Sequence, residues 1–195
     1  VQLAQTNRAY GRFVPDEILE FLNRESIIDV QLGDQIEREM TIMFADVRGF
    51  TAMSEAMTTA ENFDFINALL GRIGPLVRQR SGFIDKYIGD SVMALFPKTA
   101  DDAIEVAIAI QNELIAFNAE REETGYPFTK MGIGIHTGTI MFGTIGEEKR
   151  MEGTVIANAV NTSSRVEKLT KHYDVGILIS QETLNRLDNI YKYQH

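Results

Sequence analysis

Two aspartates stand where carboxylate chemistry is easiest to build. Asp46 follows the apolar run Met40–Ala45 (MTIMFA), and Asp90 lies in the turn between Phe83–Ile88 and Ser91–Phe96. In a ferredoxin-like sheet, neighbouring strands bring two such carboxylates to one edge. Joined by a backbone carbonyl such as that of Val47, they suit hard divalent cations like magnesium. Two metals about 3.5–4 Å apart activate an attacking oxygen and stabilise a leaving phosphate. Aspartate is also a common turn residue, and Asp90 alone reads as one. Two aspartates, each bordered by a hydrophobic strand, favour the metal. Gly49-Phe50-Thr51 follow Asp46 and open a helix, where backbone N–H groups can bind phosphate oxygens. Such turns are common, so the neighbouring aspartate is what gives this one weight. Asn161 and Arg165 are four apart on a helical stretch and project from one face. Arginine can offset charge developing on phosphate, and asparagine can orient a sugar oxygen. On the residues alone, this pair reads first as a solvated helix face with Arg165 paired to a carboxylate.

Composition narrows the chemistry further. The 195 residues are 44% hydrophobic and 24% charged, an ordinary globular balance read as one domain plus an extra helical element. Cysteine is absent, which removes disulfides, zinc thiolate sites and cysteine nucleophiles. His136, His172 and His195 are too scattered for a histidine metal cage. The net charge of −9 argues against nucleic-acid binding through a basic surface. With a polyphosphate substrate, the same acidity implies that metal ions mediate binding. No apolar run approaches the roughly 20 residues of a membrane span, and no secretory signal opens the chain. The start at Val1 suggests a piece of a longer protein.

The elements that must position these residues follow from periodicity. Ala4–Tyr10 reads as the tail of a helix, broken by Gly11. Pro15-Asp16 start a short helix with an apolar face at Ile18, Leu19, Phe21 and Leu22. That helix either packs on its own domain or couples an upstream sensor to the body. Met40–Ala45 is a core strand, and Thr59–Arg80 is a helix. Phe83–Ile88 and Ser91–Phe96 form a hairpin around Gly89-Asp90, and Ala100–Glu123 is an amphipathic helix closed by Gly125 and Pro127. Met131–His136 and Thr139–Ile145 read as strands flanking a turn at Thr137-Gly138, and Gly146–Glu152 as an exposed charged stretch. Val160–Leu169 is helical, Gly176–Ile179 a strand and Gln181–Leu187 a helix. The order predicts an α+β sandwich with helices on one face of a mostly antiparallel sheet.

Taken together, the segments resemble the class III nucleotide cyclase catalytic domain. Met40–Glu55 (MTIMFADVRGFTAMSE) is similar to that family's first metal-binding signature, and Asp85–Phe96 (DKYIGDSVMALF) to its second. Met131–Gly138 (MGIGIHTG) with Gly143–Gly146 (GTIG) resembles its central hairpin. Thr154–Leu169 (TVIANAVNTSSRVEKL) resembles the helix bearing its transition-state residues. Arg12–Gln35 is similar to what precedes the domain in some bacterial multidomain cyclases, which divides the chain into a helical lead-in or signalling element at 1–35 and a catalytic domain at 36–195.

The resemblance implies an α/β (α+β) fold on a ferredoxin-like βαββαβ core with extra C-terminal elements. It also implies a head-to-tail homodimer with sites at the interface, an upstream sensor, a cytoplasmic location and two divalent cations, Mg2+ or Mn2+. Asp46, Val47 and Asp90 match the metal ligands. Lys86 and Thr154 match the purine-reading positions, and Asn161 and Arg165 match the ribose and transition-state residues. Gly49, Phe50 and Thr51 fall on the substrate side of the first signature. Lys86 is expected beside the metals of its own chain, with Asn161 and Arg165 coming from the partner. The implied activity is conversion of ATP to 3′,5′-cyclic AMP and pyrophosphate. A guanylate cyclase, or a silent nucleotide-binding or dimerisation module, is the alternative. Three features depart from the pattern: Ala157-Asn158 stands where many relatives carry Gly-Asp, Lys149 or Arg150 is only a loose match for a phosphate contact, and the chain ends at His195, ahead of the strand on which relatives carry a phosphate-binding lysine.

Overall fold

The computed structural model describes residues 17–124, 128–147 and 149–188. The expected helix tail at 4–10, the Pro15-Asp16 start and the breakers Gly125 and Pro127 lie outside them. Elements run α1 (Glu17–Phe21), β1 (Gln35–Val47), α2 (Phe50–Glu55), α3 (Thr59–Gln79), β2 (Phe83–Ile88) and β3 (Ser91–Phe96). They continue with α4 (Ala100–Glu120), β4 (Met131–Glu147), β5 (Arg150–Ile156), α5 (Asn158–Tyr173), β6 (Ile177–Ile179) and α6 (Gln181–Leu184). The sheet order is β2-β3-β1-β4-β5, antiparallel throughout, with β6 added parallel to β4. Its first four strands have the order of a ferredoxin-like core, as expected.

β1 reads as a continuous apolar run because it is buried on both faces. Met43, Ala45 and Val47 meet α3 and α4, while Met40, Ile42 and Phe44 belong to a second cluster on the other face. The two long helices start at reciprocal side-chain caps, Thr58 with Glu61 and Thr99 with Asp102. On the second face, Phe21 of α1 packs against Phe83 and Phe142, with ring centroids 5.4 and 5.7 Å away. Among the described residues, no helix is long and apolar enough to cross a membrane.

Three expectations change. Thr137-Gly138 is not a turn: β4 runs unbroken for 17 residues, with Thr137 and Gly138 paired to Thr41 and Met40 of β1. The hairpin lies later, between β4 and β5, and is formed by the charged stretch after Gly146, whose described residues are exposed as expected. Helices also cover both faces. The glycines of MGIGIHTG are the reason, since they clear a track for α5. A Cβ on Gly134 would fall 2.1 Å from the Glu167 backbone nitrogen, and one on Gly138 would fall 3.1 Å from Ala159 Cβ. Ser163 seals the approach, its hydroxyl lying 2.9 Å from the Ile42 carbonyl and 3.2 Å from that of Gly134.

Candidate active site

Asp46 lies at the end of β1, opposite Gly132, on the face that α5 covers. Asp90 occupies the tight β2–β3 turn, where Gly89 takes φ 63°. The two carboxyls are adjacent. Burial is the first cause raising the Asp90 pKa, and the charge of Asp46 is the second; N–H donors of Asp90 itself and of Val47 oppose them. The Ser91 hydroxyl donates to Asp46 Oδ1. Glu167 enters from α5 and is pushed up to about 7, by burial first and then by Asp46, with Arg48 and Lys168 opposing and Asp90 adding a smaller push. Half-buried carboxylates that resist ionising together fit a divalent cation, whose charge relieves the crowding. Among the described residues, no three carboxylate or imidazole side chains form a ready cage. Asp46 and Asp90, the side chains expected to hold a cation, stand beside one another next to Val47 at the end of β1. Arg48 ties this strand end to α5, its guanidinium donating to the carbonyls of Thr170 and Val175.

Lys86 and Thr154 come together although β2 and β5 are opposite edges of the main sheet path. Lys86 Nζ donates to Thr154 Oγ1 at 2.7 Å within one chain. The twisted sheet curls over its second face to permit this, and Phe83 and Phe142 approach to 6.5 Å between ring centroids. Asp85 Oδ2 lies 3.3 Å from the same ammonium, and Glu152 Oε1 lies 3.7 Å away.

Asn161 and Arg165 are exposed and form no hydrogen bond or ion pair with another described residue, so the carboxylate partner expected for Arg165 on residues alone is not made. Ala159, Ser163, Val166 and Thr170 form the buried side of α5. At 3.6 residues per turn, Asn161 and Arg165 lie on the opposite side. The helix thus shows its polar pair to solvent and its Glu167 flank to Asp46. Gly49 takes φ 69° as the residue before α2, Phe50 stacks on Phe65 at 6.0 Å and Thr51 is exposed. Lys149 and Arg150 are exposed at the β4–β5 hairpin, and Ala157 precedes α5 without a side-chain cap.

Sequence reasoning passed over Glu167, Ser91 and Arg48, and weighed Asp85 only as an acid that pairs with Lys86 at a solvated strand edge. Glu167 stands two residues beyond Arg165, on the flank of the same helix, and Asp85 is an acid inside an otherwise apolar strand start. Those positions were the available signals.

The family profile of the adenylate and guanylate cyclase catalytic domain matches residues 33–195. The chain is 43% identical over 191 residues to an adenylate cyclase of Anabaena cylindrica, covering 95% of this chain and 38% of that one. It therefore spans well under half the length of that relative. Among solved structures, the adenylyl cyclase CyaB from P. aeruginosa superposes with a TM-score of 0.71 at 30% identity, over 77% of this chain and 81% of that one. The guanylyl cyclase Cya2 superposes with a TM-score of 0.69 at 33% identity, over 77% and 78%. With the fold, both aspartates, the asparagine and the arginine in the family's order, the chain belongs to the class III adenylate and guanylate cyclase catalytic domains.

Proposed function

We propose that this domain is an adenylate cyclase converting ATP to 3′,5′-cyclic AMP and pyrophosphate at sites shared by two head-to-tail copies. The observation that carries this reading is the two-sidedness of α5. Asp46 and Asp90 lie beneath its inner side, while Asn161 and Arg165 leave its outer side with no hydrogen bond or ion pair among the described residues. A second copy, meeting the first through its sheet end, brings the two halves together.

In that site, the ribose 3′-oxygen attacks the α-phosphorus, the bond to pyrophosphate breaks, and the hydroxyl proton passes to solvent. Two divalent cations, Mg2+ or Mn2+, held by Asp46, Asp90 and the Val47 carbonyl would supply a lowered 3′-hydroxyl pKa and charge neutralisation at the pyrophosphate. Arg165 offsets charge on the pentavalent transition state, and Asn161 holds the ribose in line. The N–H groups of Phe50 and Thr51, unpaired at the start of α2, face the phosphates after the Gly49 turn. Lys86 reads the base together with Thr154, which runs through β5 into the helix of Asn161. This reading therefore groups Lys86, Thr154, Asn161 and Arg165 on one protomer and the metal aspartates on the other. It moves Lys86 away from the metals of its own chain, because its ammonium is already engaged by Thr154. The domain belongs in the cytoplasm, where its nucleotide is, behind a sensor that sets its activity.

Adenine presents an acceptor at N1 and a donor at N6, and guanine reverses both. Lys86 is donor-only and satisfies adenine N1; the Thr154 hydroxyl can accept from N6. A mismatched buried polar pair costs roughly 1–3 kcal/mol, about ten- to a hundredfold in rate. Purified protein with Mn2+ or Mg2+ is expected to cyclise ATP well ahead of GTP, with Lys86→Glu plus Thr154→Gly eroding or reversing that order. Equal turnover of GTP would make the domain a guanylate cyclase or a promiscuous one, and no cyclic product from either would leave a silent module.

A further inference from the structure

We propose that Asp85 is a positioning residue for base recognition, holding the Lys86 ammonium so that its remaining N–H points at the purine. The proposal rests on the reading of Lys86 and Thr154 as the base-reading pair.

Successive residues of a regular strand point to opposite faces, so Asp85 and Lys86 would ordinarily diverge. Here they do not. The β2–β3 register shifts between Ile84, opposite Ala94, and Lys86, opposite Met93, leaving Asp85 as the extra residue of a β-bulge. Bulges re-aim side chains and recur beside active sites. This one turns the carboxylate and the ammonium of consecutive residues to within 3.3 Å. The Asp85 side chain is only 2% exposed, against 32% for Lys86. No hydrogen bond is aligned on Asp85 Oδ2, so the pair is held by charge and proximity.

A buried carboxylate without a cation is strongly disfavoured, so a carboxylate at this depth marks Lys86 as its partner. Burial holds the Asp85 pKa above the usual carboxylate range, with the Lys86 ammonium opposing it. The ammonium has three hydrogens. Thr154 takes one at 2.7 Å, Asp85 attracts a second, and the third is left for a ligand. Lysine is a flexible stem with rotatable donors. Without Asp85, the competing acid is Glu152, 3.7 Å away and 60% exposed, which would draw the head toward solvent. The bulge thus converts a mobile cation into a fixed donor, and a fixed donor distinguishes N1 of adenine from N1–H of guanine.

The test is a double-mutant cycle on the ATP/GTP ratio of kcat/KM, using Asp85→Asn, Lys86→Gln and both together, with melting temperatures measured alongside. Asp85→Asn is expected to lower the ratio about tenfold, chiefly through KM for ATP with kcat largely kept, and to add nothing once Lys86 is Gln. Asp85→Glu, which keeps the charge, should restore part of the preference, and it carries the test if the Asn variant does not fold. A ratio within about twofold of wild type in the Asp85 variants, with Lys86→Gln collapsing it, would overturn the role of Asp85 alone. Equal losses for ATP and GTP would do the same, by marking Asp85 as merely structural. If Lys86→Gln leaves the ratio unchanged, the base-pocket reading falls and takes this proposal with it.

Discussion

Mixing two inactive variants tests the shared site directly. In the proposed site, Asp46→Ala removes a metal ligand wherever that chain's sheet end is used. Arg165→Ala removes the charge that offsets the transition state, a loss on the order of 10²–10³-fold for a single donor of this kind. Arg165 leaves α5 opposite to Ala159, Ser163, Val166 and Thr170, with the helix between it and Asp46. An α-helix with its side chains is roughly 10–12 Å across, so the guanidinium is turned away from Asp46 and Asp90 of its own chain. In a mixed dimer, one site carries both lesions. The other takes Asp46 and Asp90 from the Arg165→Ala chain and Arg165 from the Asp46→Ala chain, and is whole. Equal mixing with free exchange makes about half the dimers mixed, each with one good site of two, so about a quarter of wild-type cyclase activity should return. The assay is cyclic AMP formation from ATP and Mn2+, with differently tagged chains captured in series to count mixed dimers. No recovery despite abundant mixed dimers would refute the two-chain geometry, because sites built within single chains leave both partners dead.

Two further outcomes follow from the packing of α5. Glu167 titrates near 7 in the folded domain and near 4.5 when unfolded, so the folded state holds its proton more tightly. Metal-free stability should therefore fall as pH rises from about 5 through 7, and Glu167→Gln should flatten that decline in thermal melts; an unchanged slope would show that burial beside Asp46 does not raise this carboxyl's pKa. Gly134→Ala should cost roughly 1–3 kcal/mol in denaturant unfolding, since its Cβ would meet the Glu167 backbone, which has no freedom to yield, whereas Gly71→Ala in the exposed, open stretch of α3 should stabilise by about 0.5–1 kcal/mol.

How much of this was legible depends on whether the controlling physics is local. β2 and β3 end where the sequence puts them, because Gly89 at φ 63° and Asp90 make a tight turn between two short hydrophobic segments. The capped starts of α3 and α4 are local for the same reason. β4 was misread because its glycines carry no turn. They report what lies above the sheet, and nothing within Met131–Gly138 says that a helix from 20 residues later rests there. The one-face expectation failed alongside it, since a 3.6-residue period shows that a helix has a buried side without saying which sheet face receives it.

The site divides along the same line. Asp46 and Asp90 stand out by residue type and by their places at strand ends, whereas Asn161 and Arg165 on residues alone read as a solvated helix face and are singled out only through the family resemblance. What each residue faces is a tertiary fact. Lys86 and Thr154 meet only because a twisted sheet curls β2 toward β5, and Asp85 joins them only because one extra residue interrupts the β2–β3 ladder. Both events are invisible to periodicity, and both are tertiary facts behind the Lys86–Thr154 contact. The same holds for α5, whose outer pair and inner Glu167 are two residues apart in sequence and on different sides in space. One helix thereby borders the carboxylates of its own chain while turning Asn161 and Arg165 outward, and in the proposed head-to-tail dimer a shift of α5 at one site would be felt at the other.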